Sequence, residues 1–95
     1  MVKVDTIEGV VDDTLWLHYD MESDVLYLRL VKDRDAATYS EESEEGFLRV
    51  RREDNDAVAG LTVVHWWGRF GQGQLPDSIH ALEDAIAPWA ERLAG

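Results

Sequence analysis

An α+β domain is predicted, with an antiparallel β-sheet of four or five strands, arranged as two hairpins, packed against a C-terminal helix. Two stretches alternate their side chains with period two, each folded back over a polar turn, and a third carries an apolar stripe at helical spacing. The length of 95 residues fits one compact domain, and a 45% hydrophobic content supports a core despite a formal net charge of −11.

Residues 1–13 show no clear period and read as an N-terminal extension. Sheet structure is expected over residues 14–67. In Thr14–Asp20, Leu15, Leu17 and Tyr19 alternate with Trp16 and His18. In Val25–Val31, Leu26, Leu28 and Leu30 alternate with Val25, Tyr27, Arg29 and Val31. The intervening Asp20-Met21-Glu22-Ser23-Asp24 has short polar side chains that can bond the turn backbone. One face of this hairpin is aliphatic; the other, with Trp16, His18, Tyr27 and Arg29, is richer than a solvent face requires.

An edge strand is expected around Ala36–Tyr39. The second hairpin is placed at 46–67, with Phe47–Arg51 and Val58–Trp66 on either side of the polar run Arg52–Asp56. Gly60 inside the returning strand points to a bulge or a close backbone approach. Residues 68–76 form a glycine-rich connector. A helix over residues 77–94 follows from Ile79, Leu82, Ile86, Trp89 and Leu93, with Asp77 or Ser78 as its N-cap. Pro88 within that stripe predicts a kink or a break.

Composition excludes several functions. With no cysteine, disulfides, thiolate catalysis and cysteine-bound metals are ruled out. Twenty acidic against nine basic residues disfavour nucleic-acid binding, which needs a cationic surface. No apolar run is long enough to span a membrane, and the first residues lack the apolar stretch of a signal peptide, so a cytoplasmic protein is expected. A chain of this size has little spare stability, which favours a homodimer. The charge is uneven. Residues 1–46 hold 13 acidic and 4 basic side chains, residues 47–70 hold 3 and 4, and residues 71–95 hold 4 and 1.

The segment Tyr19-Asp20-Met21-Glu22-Ser23-Asp24-Val25-Leu26-Tyr27-Leu28-Arg29-Leu30 resembles the YuzE-like family, a bacterial domain family of unknown function. The likeness continues through Tyr39-Ser40-Glu41-Glu42, the Glu45-Gly46 step and Val58-Ala59-Gly60-Leu61, and spans roughly residues 15–64. It implies a small β-rich domain without an assigned activity, and an antitoxin-like partner protein. The chain departs from the family pattern in its first thirteen residues and after Val64, where His65-Trp66-Trp67-Gly68-Arg69-Phe70 and the helix follow.

No catalytic, cofactor or metal site emerges from the residue patterns. His18, His65 and His80 belong to three different elements and lack the close spacing of zinc ligands. Asp20, Glu22 and Asp24 are spaced like a calcium loop, but Val25 replaces its glycine and Val31 its final glutamate. Gly68, Gly71 and Gly73 lack the Lys-Ser/Thr ending of a phosphate loop, and the serines lack a nucleophile-elbow setting.

The remaining candidates are interaction residues. Glu41, Glu42, Glu44 and Glu45 form the densest charge and suit a basic protein partner, or pairing with Arg49, Arg51 and Arg52. Trp66 and Trp67, read as neighbours on a strand, point to opposite faces, so one enters the core. With Trp16, Tyr27 and Arg69 they make an aromatic and arginine surface of the kind that anchors protein interfaces. The expected function is a non-catalytic protein-interaction module. The alternative is a small-molecule binder or an unrecognised enzyme using the Trp16/His18/Tyr27 face or the glycine-rich segment.

Overall fold

A computed structural model describes residues 6–43, 46–71, 73 and 78–94. Its sheet has six strands, not four or five, in the order β1-β2-β3-β6-β5-β4, every neighbouring pair antiparallel. The strands are β1 (Thr6–Val11), β2 (Leu15–Asp20), β3 (Val25–Leu30), β4 (Thr38–Glu42), β5 (Leu48–Arg52) and β6 (Val58–Val64). Two three-stranded meanders thus join through β3 and β6 at the centre of the sheet.

The additional strand is β1, which lies within the stretch expected to be an extension. Its inward positions are Ile7, Gly9 and Val11, opposite Tyr19, Leu17 and Leu15 of β2. A Cβ on Gly9 would meet Cδ1 of Ile79, the tip of a side chain of the helix above, which would have to shift to admit it. The turn into β2 places Asp12 and Asp13 at φ 52° and 58°, and Thr14 N–H donates to the Val11 carbonyl at 3.2 Å. Two successive left-handed residues give a hairpin turn whose twist matches that of the strands.

The next turn is held by Asp20, whose Oδ1 accepts the N–H groups of Glu22 (3.1 Å) and Ser23 (3.3 Å). A single-turn 3₁₀ segment, Val31–Asp33, leads towards β4. The edge strand expected near Ala36–Tyr39 is β4, shifted a few residues later, and it pairs with β5. Gly60 meets both expectations placed on it. The register between β5 and β6 shifts beside it, with Ala59 as the extra residue, and a Cβ on Gly60 would collide with the Leu28 carbonyl oxygen.

The chain after β6 differs from expectation. Trp66–Phe70 is a short helix, α1, which takes in the first residues of the expected glycine-rich connector. His65 enters it in the left-handed conformation at φ 54°. Trp66 and Trp67 are therefore successive helical residues and do not sit on opposite faces of a strand.

The final helix, α2 (Ile79–Ala94), runs through Pro88 as one element, so no break occurs there. Ser78 caps it, with Oγ accepting the Ala81 N–H at 3.2 Å, while Asp77 lies outside the described residues. Leu82, Ile86 and Trp89 of α2 are buried against Ile7, Leu15, Leu17, Tyr19, Leu26, Leu28, Leu61 and Val63 of the sheet. Ile79 and Leu93 complete the stripe at its ends. One layer of helix therefore covers one face of the sheet.

Candidate interaction face

Register and alternation define the face turned away from α2. One cross-strand row runs Val10–Trp16–Arg29–Gly60–Val50–Ser40. The next runs Glu8–His18–Tyr27–Thr62–Leu48–Glu42. Directly opposed residues share a face, so both rows lie on the side away from α2. Along β6 and β5, Thr62 and Val50 are buried there, where Asp33 of the Val31–Asp33 segment bonds Arg52. The face is open at its β1–β3 end.

At the β1–β2–β3 end the side chains form a connected cluster. The Trp16 and His18 rings stack at 5.7 Å with an interplanar angle of 25°. His18 meets Tyr27 edge-on, also at 5.7 Å. Glu8 ties the cluster down, with Oε1 accepting the Trp16 Nε1–H at 3.1 Å and Oε2 lying 3.3 Å from His18 Nδ1. The Arg34 guanidinium lies 5.4 Å from the Trp16 ring centroid, over its face. All three aromatic side chains stay half-exposed, so the cluster is ordered without being closed off.

Arg29 lies over Gly60, where the missing Cβ makes room for its side chain. Burial lowers the pKa of its guanidinium, outweighing an opposite effect from Tyr27. Its hydrogen bond is a long one, 3.5 Å to the Leu28 carbonyl. Among the described residues neither Arg29 nor Arg34 has a carboxylate within ion-pair distance, whereas Arg49 and Arg51 share Glu41 and Arg52 has both Asp33 and Asp54. In a chain with more than twice as many acids as bases, the Arg34 guanidinium over the Trp16 ring stands out.

The other predicted residues are placed as follows. Glu41 faces the α2 side, next to Arg51 (3.4 Å) and Arg49 (3.9 Å), so the cross-strand pairing is the one found. Glu42 is exposed on the open face; Glu44 and Glu45 lie outside the described residues. Trp66 is buried at 1% exposure against Tyr19, with ring centroids 5.2 Å apart. Trp67 is half-buried and packs on Trp66, and Arg69 donates to the Gly46 carbonyl at 2.7 Å while lying over Phe70. Trp16 and Tyr27 are thus brought together on the open face, while Trp66, Trp67 and Arg69 belong to the α1 side. Glu8 and Arg34 were not foreseen as site residues.

A second concavity, about 670 Å³, lies between α1 and α2. Trp66, Trp67, Phe70 and Trp89 form aromatic walls, with Asp84 and Arg92 among its polar groups. Among the described residues the buried Trp66 Nε1–H has no hydrogen-bond acceptor. Among the described residues no group of three His, Asp or Glu side chains could hold a metal ion. No described helix is long and apolar enough to cross a membrane.

Comparison with family models, with curated proteins and with solved structures gives no match to this chain.

Proposed function

We propose that this chain is a non-catalytic protein-interaction module that docks a partner on the open face of its sheet. The carrying observation is the ordered, half-exposed Trp16–His18–Tyr27 cluster, flanked by Arg29 and Arg34 on the uncovered side. Aromatic rings and guanidinium groups are the usual anchors of protein interfaces, since they bury much area with few freely rotating bonds. An antitoxin-like partner protein, the role implied by the resemblance of residues 15–64 to the YuzE-like pattern, is the form of this reading that we propose. A basic partner draws its support from the −11 charge and from exposed Glu42, whereas Glu41 is engaged by two arginines of its own sheet.

The test is capture on immobilised protein at low ionic strength. The wild type retains a partner, and the double variant Trp16→Ala/Tyr27→Ala retains about a tenth as much or less. Equal capture by both proteins overturns the reading. The variant removes half-exposed side chains outside the α2-covered core, so it is expected to remain folded, which circular dichroism checks.

A second reading, small-molecule binding, is favoured by the aromatic cleft between α1 and α2. It predicts quenching of tryptophan fluorescence by a metabolite pool, insensitive to salt. Capture of a protein that salt releases separates the two.

A further inference from the structure

On the reading that the open face is an interaction surface, we propose that its partner brings an arginine to the Trp16 ring, a place that Arg34 holds in the free protein. The Arg34 guanidinium lies 5.4 Å from the ring centroid, so this indole already accepts a cation. Arg34 is exposed, and among the described residues no carboxylate lies within ion-pair distance of it. A cation on a ring at an exposed site is held weakly, so an incoming group can displace it at little cost.

The backbone that carries Arg34 is fixed without its side chain. Val31 N–H donates to the Thr14 carbonyl at 2.9 Å, and Arg34 N–H to the Val31 carbonyl at 3.3 Å. Asp33 is paired with Arg52 at 2.6 Å. Leaving the ring therefore takes the rotation of one long exposed side chain and no movement of the sheet.

The surroundings of the ring favour a cation from outside. Exposed Glu8 accepts the indole N–H and lies 3.3 Å from His18 Nδ1, and a carboxylate has acceptor sites left for a further donor. Asp20 continues the outward side of β2 beyond His18, and exposed Asp12 and Asp13 occupy the adjoining turn. Arg29, the other cation of this end, lies over Gly60. Arginine suits the place better than lysine, because its planar guanidinium stacks on a ring and forks onto a carboxylate. The −11 charge of the chain draws such a partner in.

Fluorescence anisotropy of a labelled hexa-arginine peptide, titrated with the full chain at moderate ionic strength, tests the proposal. The wild type binds this peptide and does not bind a hexaglutamate peptide. Trp16→Ala weakens binding about tenfold. Arg34→Ala tightens it about two- to fivefold, the worth of one exposed cation–π contact that no longer has to be broken. Lys32→Ala removes an equal charge from the same segment but none from the ring, and changes binding less. Failure to bind hexa-arginine, binding that Trp16→Ala leaves unchanged, or a Lys32→Ala effect equal to that of Arg34→Ala overturns the proposal. So does an Arg34→Ala variant that binds no more tightly than the wild type. If that variant also loses capture of a protein that needs Trp16 and Tyr27, Arg34 is itself an anchor, and the interaction function stands without the proposal.

Discussion

Asp24 shows how a residue that reads as turn filler holds together distant parts of the chain. It sits at φ 58° after the β2–β3 turn, and its Oδ1 accepts the Tyr19 hydroxyl at 2.6 Å. The same carboxylate accepts the N–H groups of Trp67 and Gly68, each at 2.9 Å, and so caps α1. Its backbone carbonyl takes the Trp66 N–H at 3.0 Å. Burial pushes the Asp24 carboxyl up, but the Tyr19, Gly68 and Trp67 hydrogen bonds, with His65 nearby, outweigh it and leave the pKa lowered. For Tyr19 the direction is reversed, since burial and then the bond to Asp24 raise its pKa. A carboxyl whose folded pKa lies below the unfolded one adds stability at pH values above the unfolded value. That stability is lost as pH falls through the folded pKa. Asp24→Ala is therefore expected to cost about 2–4 kcal/mol at neutral pH, from several charge-assisted hydrogen bonds lost together. Asp24→Asn, which keeps one acceptor, costs less. Both variants flatten the acid limb of the stability curve below the usual carboxylate range, and urea titrations across that range check it. An acid limb of wild-type steepness in either variant contradicts the assignment.

Elements whose pattern is local were legible in the sequence, and those stabilised by distant partners were not. The β2–β3 and β5–β6 hairpins follow from alternation, and the α2 stripe from its spacing, because in each case the apolar residues alone identify the buried side. In β1 the inward set is Ile7, Gly9 and Val11, so the middle of the stripe is a glycine that makes way for Ile79, and no period stands out. In α1 the decisive group is Asp24, 43 and 44 residues from the N–H groups it caps. Without that carboxylate five residues beginning with two tryptophans carry little helical signal. The face of Trp16, His18, Tyr27 and Arg29 was legible for the same reason as its hairpin, whereas Arg34 reaches it from beyond a 3₁₀ turn whose geometry no local pattern encodes. Two substitutions test the element-level account. Gly60→Ala should destabilise by about 2 kcal/mol or more, because backbone of the neighbouring strand occupies the space of its methyl group. Pro88→Ala should stabilise by about 1–3 kcal/mol, since it restores a backbone donor and removes a ring clash inside a continuous helix. Thermal and urea midpoints measure both, and a shift of opposite sign in either contradicts it.

At the scale of the whole molecule, two electrostatic effects oppose each other and salt separates them. The described ion pairs are short-range, and the exposed ones, such as Glu41 with Arg51, contribute at most about 1 kcal/mol each. The pair least open to screening is Arg52 with Asp33 at 2.6 Å, because that carboxylate is only 5% exposed. Hydrogen bonds to Asp54 and then Asp33 raise the Arg52 pKa, so the guanidinium stays charged throughout the accessible pH range. Against these few contacts stands the mutual repulsion of an excess concentrated in residues 1–46, where 13 acids face 4 bases. The described residues among them include β1 to β4, on which much of the sheet depends. Screening acts mainly on charges separated by more than about 8–10 Å, so moderate salt removes more repulsion than attraction. The fold is therefore expected to gain about 0.5–1 kcal/mol between low and moderate ionic strength, a rise of roughly 2–8 °C in Tm for a domain of this size. Protein concentration has to be held constant across the series, because any self-association would add its own concentration-dependent stabilisation. A Tm that is unchanged or falls with added salt would mean that the local pairs outweigh the long-range repulsion.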